Sequence, residues 1–415
     1  MVSSSPSLVW FRRDLRTSDH PAILAAAERS PRALALFVLD DRLLKPSGQP
    51  RIDFLHRCLH ALNDELGGRL MVVHGDPVKT VPRVAKEIGS ESVHITADCA
   101  PYGRERDEAV EEALGDIELV RSGSPYAVTP GRVRKQDGTP FKVFTPFRNA
   151  WLDHGWRKPA DTDASTLDWI EPKHSTKIPA VEEKLPDALK LWEEFRDERL
   201  EDYDTTRDRP DMDATSRMSA FLRWGVLHPR TLLQDCDGTF RSELAWREFY
   251  ADVLWHKPET ARENYDRRFD RMEHDDDKEL FEAWKEGHTG FPIVDAGMRQ
   301  LLQEGFMHNR VRMIVASFLV KDLHLPWWWG ARHFMQHLID GDIASNQHNW
   351  QWVAGSGTDA SPFFRVFNPM TQAKKFDPDG AYVRKYAPDS PDLTPIVDHA
   401  VERQVALDRY QAIKA

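Results

Sequence analysis

The stretch LVWFRRDLR, residues 8–16, opens with a short apolar run that turns abruptly into charge. Three similar runs follow at Ala33–Leu39, Leu70–Val73 and Val93–Thr96, and each is typical of a buried strand. Between these runs the pattern predicts helices, most clearly over residues 52–66, where apolar residues recur on one face. Strands that alternate with helices predict a doubly wound parallel sheet, an α/β fold, for the first part of the chain.

The alternation fades after about residue 122, in a stretch rich in Pro, Asp, Lys and Thr. This loss of periodicity predicts a long connection between two domains. Beyond it the apolar spacing is helical almost to the last residue. We therefore predict an α/β domain over residues 1–125, an interdomain connector over 126–190 and an all-α domain over 191–415.

The composition is that of a soluble globular protein, because 40% of the 415 residues are hydrophobic and 30% are charged. Arg12 ends the first apolar run too early for a signal peptide, and no later run has membrane-spanning length, so a cytoplasmic location is expected. The 3 cysteines lie far apart, which argues against a disulfide framework. A net charge of -11 argues against a wholly basic surface but leaves room for a local basic face.

Two common site motifs are missing from the sequence. The first strand is followed by RRDLR rather than by a GxGxxG turn, which argues against an NAD site. His333 and His337 have the spacing of two metal ligands on a helix, but no HExxH glutamate lies between them. We predict a packed or exposed histidine pair and no metal site. A nucleotide-binding metabolic enzyme would explain the α/β half alone.

Three later segments carry unusual residue orders. The hydroxyl-rich segment TSRMS, residues 215–219, suits either a helix cap or a phosphate site. The segment ELAWREFY, residues 243–250, suits either a salt-bridged core helix or a site. The segment DGDIASNQHNWQW, residues 340–352, follows no regular core pattern. In that last segment Asn346 alone would also be explained as a turn-forming amide.

Together with WFRRDLR (10–16), KVFTPF (142–147), HNRVRM (308–313) and the stretch from GTD (357–359) to FNP (367–369), these segments resemble the cryptochrome/photolyase family. The resemblance runs in order from about Leu8 to Arg409. It implies that residues 1–125 form an antenna-chromophore domain and residues 191–415 a helical FAD-binding catalytic domain. A class I-like photolyase for cyclobutane pyrimidine dimers in DNA is the expected member.

In this family reduced FAD absorbs blue light and passes one electron to a dimer that has been flipped out of the duplex. The resemblance implies that Asp342 hydrogen-bonds the flavin ring beside an Arg312–Asp340 pair, and that the Asn346 amide faces flavin N5. The full cofactor-binding set that it implies is Tyr203, Thr215, Ser216, Arg217, Met218, Ser219, Arg247, Asn309, Arg312, Asp340, Asp342 and Asn346.

The resemblance also implies how the dimer is bound. Trp246 and Trp352 would form apolar walls, and Met313 would be an adaptable contact that favours cyclobutane dimers over (6-4) photoproducts. Glu243 and Asn309 would hydrogen-bond the pyrimidine edges. Phosphate contacts would come from Arg207, Arg310 and Arg365, with Lys374 and Lys375 as additional candidates or as solvated charge.

Electron transfer to the flavin runs through three tryptophans in this family, and Trp350 and Trp327 match the inner two. The outer position falls on His274, so we expect either another aromatic as the exit or poor photoreduction. The candidates for the exit are Trp328, Trp329 and Tyr265. The sequence also departs from the family at residues 347–349, where Gln-His-Asn replaces small glycines.

A second chromophore is expected in the antenna domain, with Arg12, Asp98, Arg104 and Arg106 as its candidate residues. The resemblance favours a deazaflavin (8-HDF) over a folate (MTHF), and a surface helix without a ligand remains an alternative. The expected partner is UV-damaged DNA, with no membrane, no obligate protein partner and a monomeric state. The alternative function is that of a cryptochrome, a blue-light sensor without repair activity.

Overall fold

The computed structural model describes residues 5–359 and 364–414. Within these ranges one sheet forms, in which every paired strand is parallel to its neighbour. Its central path is β3-β2-β1-β4-β5, and a sixth strand pairs with β2. The strands are β1 Ser7–Phe11, β2 Arg32–Leu39, β3 Leu70–His74, β4 Ser92–Ile95, β5 Glu118–Arg121 and β6 Asp168–Trp169.

Helices fill most of the remaining chain, and short 3-10 helices also occur, at Pro258–Ala261 among other places. The α-helices, in chain order, are α1 Pro21–Arg29, α2 Asp41–Leu44, α3 Gln49–Glu65, α4 Pro77–Glu87, α5 Pro101–Leu114, α6 Phe144–His154, α7 Ala188–Glu198, α8 Tyr203–Thr206, α9 Ser219–Trp224, α10 Pro229–Leu233, α11 Gly238–His256, α12 Lys278–Glu286, α13 Pro292–Glu304, α14 Asn309–Lys321, α15 Trp327–His337, α16 Ile343–Ala354, α17 Pro369–Phe376, α18 Ala381–Tyr386 and α19 His399–Ala412.

The sheet confirms the α/β prediction for the first part of the chain. Strand β1 is buried along its whole length, and Leu8 pairs with Leu34 on one side and Val93 on the other. A strand covered on both faces must be apolar at every position, which is why its sequence reads as a run rather than as an alternation. The strand order, with β1 in the middle, is that of a doubly wound sheet.

The stretch predicted to be an interdomain connector, residues 126–190, has secondary structure of its own. It contains α6 and the short strand β6, which extends the sheet by pairing Asp168 with Arg32. Trp151 of α6 is fully buried, and its indole N–H donates to Glu248. A two-residue strand has no periodicity, so the sequence pattern could not predict it.

The chain forms two compact units whose boundaries differ from the three predicted segments. The first unit holds the chain up to Pro140 together with residues 147–197 and 217–256. The second holds residues 141–146, residues 198–216 and the chain from Lys257 onward. Helix α11 therefore belongs to the first unit, although the sequence predicted it in the all-α domain. The difference arises because helical periodicity indicates the type of an element and not its packing partners.

The core of the second unit is built from α13, α14, α15 and α16. Large buried side chains on these helices and on α12 form one apolar cluster, which includes Trp284, Ile293, Phe318, Trp327 and Trp350. The clustering of so many tryptophans is mostly a matter of packing, as is common for this residue. Over the described residues, no helix is both long and apolar enough to cross a membrane.

Candidate functional site

Helix α16 and the turn before it hold the acidic residues of the segment 340–352. Asp342 is the N-cap of α16, and its Oδ1 accepts from the backbone N–H groups of Ala344 and Ser345 at 3.0 and 3.2 Å. Asp340 lies two residues earlier, and its Oδ2 accepts from Arg312 Nη2 at 2.8 Å. The predicted Arg312–Asp340 pair is therefore present, with Asp340 buried and Arg312 partly exposed.

The Asn346 side chain is held by two hydrogen bonds in the first turns of α16. Its Nδ2 donates to the backbone oxygen of Ala331 at 3.0 Å and to Gln347 Oε1 at 2.8 Å. Asn346 is only 8% exposed, and its Oδ1 accepts from none of residues 5–359 and 364–414. An amide oxygen that accepts from no protein group can accept from a ligand N–H.

Trp350, one turn after Asn346, is 3% exposed and packs edge-on against Phe334 with ring centroids 5.0 Å apart. The close approach of α15 requires glycine at position 330, because a Cβ on Gly330 would lie 2.1 Å from Trp350 Cη2. Trp350 is thus fixed by packing.

The second tryptophan, Trp327, is buried and begins α15. Its indole N–H donates to Asn264 Oδ1 at 2.9 Å. The Trp328 ring contacts the Trp327 ring edge-on, with centroids 5.9 Å apart. Trp328 also contacts the His274 ring, with centroids 5.4 Å apart. Trp328 is 37% exposed, so it connects the buried Trp327 to solvent.

The candidate DNA-contacting residues of the second unit differ in their surroundings. Arg310 pairs with Asp208 at 2.6 Å, and its Nη1 lies 3.6 Å from Met313 Sδ. Arg365 is exposed, whereas Arg207 and Arg310 are half-buried. Of the family-like stretch 357–369, residues 360–363 lie outside the described residues.

Asn309 and Trp352 also belong to the second unit. Asn309 is exposed at the start of α14, and Trp352 is half-buried, with its indole N–H donating to the backbone oxygen of Asp359 at 3.2 Å. Lys374 and Lys375 are exposed in the last turn of α17.

Helix α9 begins at Ser219, inside the hydroxyl-rich segment 215–219, and its N-cap residue Met218 makes no side-chain capping hydrogen bond. Arg217 has a φ of 53°, a left-handed conformation that is uncommon outside glycine. Thr215 and Ser216 are half-buried in the second unit, as is Tyr203, and Arg217 and Ser219 are exposed in the first.

In the first unit, α11 carries Glu243, Trp246 and Arg247, all half-buried. The Trp246 ring contacts Tyr250 with centroids 5.4 Å apart. The Arg247 guanidinium donates to the backbone oxygens of Pro125 and Leu222 at 2.9 and 3.3 Å. Arg247 therefore contributes to the packing of its own unit.

Most of the candidate antenna residues form a buried ion network in the first unit. Asp107 joins Arg12 and Arg106 at 3.0 and 2.8 Å, and Arg106 Nη2 also lies 3.5 Å from Asp98. Burial raises the pKa of Asp98, but the nearby arginine charges lower it more, so its net shift is downward. This network stabilises the charged forms whether or not a ligand is present.

Arg104 lies apart from this network, with its guanidinium 4.0 Å from the centroid of the Trp255 ring. The predicted histidine pair is confirmed as a packed one, because His333 and His337 lie ring to ring at 4.5 Å and His333 is buried. No group of three metal-binding side chains occurs in the described part of the chain.

Two functional groups in this site carried weak sequence signals. Gln347 contacts Asn346 directly, yet in the sequence it is only an amide beside another amide. Asn264 binds the indole of Trp327 from a loop 63 residues away. Proximity of this kind depends on tertiary packing, so no spacing rule could have found it.

Two family models match the chain. One, described as DNA photolyase, covers residues 7–165, and the other, described as the FAD binding domain of DNA photolyase, covers residues 240–394. A curated deoxyribodipyrimidine photo-lyase from Agrobacterium fabrum is 37% identical over 100% of this chain and 99% of its own length. The chain belongs to the DNA photolyase family. The segment 340–352 lies inside its FAD-binding domain.

Solved structures of other photolyases have the same fold. A bacterial class III photolyase from Agrobacterium tumefaciens aligns with a TM-score of 0.89 at 35% identity, covering 100% of this chain and 98% of that one. An archaeal photolyase from Sulfolobus tokodaii, described with two FAD molecules, aligns with a TM-score of 0.88 at 28% identity, covering 98% and 100%. The photolyase fold predicted from the sequence is confirmed, and the class I-like subtype stays a prediction.

Proposed function

We propose that this photolyase-family chain repairs cyclobutane pyrimidine dimers in UV-damaged DNA by a light-dependent electron transfer. The observation that carries the proposal is the orientation of the Asn346 amide in the segment 340–352: its nitrogen donates twice, and its oxygen accepts from none of residues 5–359 and 364–414. That atom fits the N–H of a reduced flavin ring, and the segment lies within the matched FAD-binding domain. We further propose that the chain acts as a monomer without an obligate protein partner.

FAD, when bound in its reduced form, supplies the photoexcited electron that splits the cyclobutane ring. The protein's part is to bind, orient and exclude water. Asp342 and the Arg312–Asp340 pair would fix the ring, and Asn346 would accept at N5. The ribityl and phosphate groups would be held by Tyr203, Thr215, Ser216, Arg217, Met218, Ser219 and Arg247, with Asn309 near the ring.

The same proposal assigns the substrate contacts. Trp246 and Trp352 are both half-buried, and we assign each of them as an apolar wall against the flipped-out dimer. Glu243 and Asn309 would hydrogen-bond the pyrimidine edges. Arg207, Arg310 and Arg365 would contact phosphates, and the exposed Arg365 needs no rearrangement to do so.

Met313 supports cyclobutane dimers rather than (6-4) photoproducts as the substrate. Its thioether sits beside Arg310 and offers an adaptable apolar contact, not the histidine chemistry expected for the other lesion. The test is a repair assay with two oligonucleotides, one carrying each photoproduct, under the same blue light. We expect the cyclobutane dimer alone to be reversed; reversal of only the (6-4) lesion would contradict the assignment.

We propose Trp328 as the outer member of the electron-transfer chain that reduces the flavin. It contacts Trp327 edge-on and is the exposed ring that follows it. Trp329, in contrast, packs with Phe281 and lies under the Lys278 ammonium at 3.4 Å. A cation at that distance opposes the formation of a positive charge on the ring, which disfavours Trp329 as an electron donor.

The antenna chromophore is proposed to bind among the elements that carry Arg12, Asp98, Arg104 and Arg106. A deazaflavin is our first candidate and a folate the second. The third candidate is another FAD molecule, because the Sulfolobus tokodaii photolyase is described with two of them. Absorption and mass spectra of chromophores released from the purified protein distinguish them. Release of FAD alone, in one copy per chain, would argue against an antenna.

A further inference from the structure

The orientation of the Asn346 amide is determined by hydrogen-bonding logic. The backbone oxygen of Ala331 can only accept, so the Asn346 atom 3.0 Å away must be the nitrogen. The backbone oxygen of Ala261 imposes the same choice on Gln347, whose Nε2 lies 2.7 Å from it. Two carbonyl oxygens on separate elements thus fix two neighbouring side-chain amides.

Gln347 connects these two fixed points. With its nitrogen turned to Ala261, its Oε1 faces Asn346 Nδ2 at 2.8 Å and accepts from it. Both N–H bonds of the Asn346 amide are then used, and the oxygen is left as the open atom. A flipped amide would set its oxygen against two acceptor oxygens, those of Ala331 and Gln347, and would lose both hydrogen bonds.

The Ala261 end of this chain of bonds is itself held in place. Gln351, one turn after Gln347, donates from Nε2 to the backbone oxygen of Thr260 at 2.8 Å and accepts from the N–H of Tyr265 at 2.8 Å. The Thr260 hydroxyl lies 2.9 Å from His348 Nε2. The segment that presents Ala261 is therefore tied to α16 at several points, so Gln347 contacts a rigid acceptor.

Gln347 is also unusual in acting on its immediate neighbour. Side chains of adjacent residues on a helix point in different directions and rarely meet. The length of Gln347 allows it to reach back to Asn346, and at 9% exposure it has little freedom to turn to solvent. A glycine at position 347 would leave the Asn346 amide held by Ala331 alone.

We propose that Gln347 is a positioning residue that holds the Asn346 amide with its oxygen toward flavin N5, and thereby favours the reduced flavin. The inference rests on the proposed function, in which Asn346 faces that atom. Reduced flavin carries a hydrogen at N5 and needs an acceptor, whereas N5 of oxidised flavin is itself an acceptor and would be favoured by an amide N–H. By fixing the amide nitrogen of Asn346 away from N5, Gln347 leaves the amide oxygen to accept from the N5 hydrogen of reduced flavin.

The test is the midpoint potential of the bound FAD, measured by spectroelectrochemistry in Gln347→Met and Gln347→Leu, two replacements of similar volume. Both are expected to lower the potential, with the equilibrium constant for reduction falling by up to about tenfold, the value of one hydrogen bond. Asn349→Met is the matched control, because Asn349 is an exposed amide on the same helix that bonds only to the backbone of Ser345. Its potential is expected to equal that of the wild type.

A double-mutant cycle with Asn346→Ala separates positioning from general structure. If Gln347 acts through Asn346, the Gln347→Met change has no further effect on the potential once Asn346 is alanine. An equal shift in both backgrounds would overturn the inference. If Asn346→Ala changes the potential and Gln347→Met does not, the inference fails and the proposed role of Asn346 survives; if neither changes it, both fail.

Discussion

We propose that Trp328 serves as the outer electron donor, because the outer tryptophan position of the family falls on His274 in this protein. We expect Trp328→Phe to slow photoreduction of the oxidised flavin under blue light at least several-fold, because the buried Trp327 then lacks an oxidisable neighbour at the surface. The rate of photoreduction is measured as the loss of oxidised-flavin absorbance under blue light, with the external reductant at a saturating concentration. Trp329→Phe is the control, since its ring lies next in sequence but against Lys278 and Phe281.

Repair by chemically reduced protein should be unchanged in Trp328→Phe, since that reaction needs only reduced flavin. Equal photoreduction rates in the two variants would show that the electron leaves by another route, for example through Tyr265.

At the residue scale the sequence predicted a contact between side chains better than the orientation of one. The Arg312–Asp340 pair was predicted and is present, whereas the roles of Asp342 and Asn346 toward the flavin stay predictions. The direction of the Asn346 amide depends on the carbonyl groups of Ala261 and Ala331, which belong to other elements. Amide orientation is decided by such partners and leaves no trace in a local pattern.

The buried carboxyl group of Glu248 helps to anchor helix α11 in the first unit. Glu248 accepts from the backbone N–H of Ala127, from that of Val128 at 3.0 Å and from the indole N–H of Trp151 at 2.6 Å. Burial raises the pKa of Glu248 to about 7, against the lowering effect of these donors. Above that pH the carboxylate serves three donors at once.

We expect Glu248→Gln to lower the free energy of unfolding at pH 8 by about 1–3 kcal/mol, because one donor would then face an amide NH₂ group. Urea denaturation followed by circular dichroism measures the change. Glu193→Gln, an exposed residue on α7, is the control and should be neutral. If the free energies of unfolding of the Glu248 variant and this control are equal, the three N–H donors do not depend on the carboxylate and are hydrogen-bonded to water in the variant.

Helix α14 ends in a buried lysine, Lys321, that makes the free energy of unfolding depend on pH. Lys321 is 3% exposed, donates to the backbone oxygen of Arg365 and lies 4.3 Å from the Phe364 ring centroid. Burial lowers the pKa of Lys321 from 10.5 to about 7. Between these values the unfolded chain binds more protons than the folded one, so this residue makes stability rise with pH.

We expect Lys321→Met to remove this dependence. The difference in unfolding free energy between wild type and variant should change by up to about 1.4 kcal/mol per pH unit between pH 7 and 10. The neighbouring Asp322, whose pKa is raised to about 6 by burial, titrates below this window. Parallel stability curves for the two proteins across the window would show that Lys321 is already charged in the folded state.

At the element scale the sequence predicted the strands and helices that have strong periodicity. The four apolar runs are β1 to β4, and the stretch with helical spacing over residues 52–66 corresponds to α3. Strand β6 and helix α6 were missed because one is two residues long and the other lies in a stretch without clear amphipathic spacing. Their positions are fixed by tertiary partners, Arg32 for β6 and Glu248 for α6.

At the scale of the whole molecule, the net charge of -11 is not that of a general nucleic-acid binder. In the proposed function a few placed arginines supply the affinity for DNA, so we expect that affinity to be modest for undamaged duplex and to depend on the lesion. The family resemblance, which covers nearly the full chain, predicted the fold as a whole. It could not predict that the chain from 217 to 256 packs in the first unit.

The proposed function requires that this protein reverse cyclobutane dimers with light. To test it, purified, chemically reduced protein is mixed with a thymine-dimer oligonucleotide, and the recovery of thymine absorbance is followed under blue light, with a dark sample alongside. We expect recovery in the light and none in the dark. If FAD is bound and reduced but the light causes no recovery, the repair function is contradicted and a blue-light sensor becomes the better description.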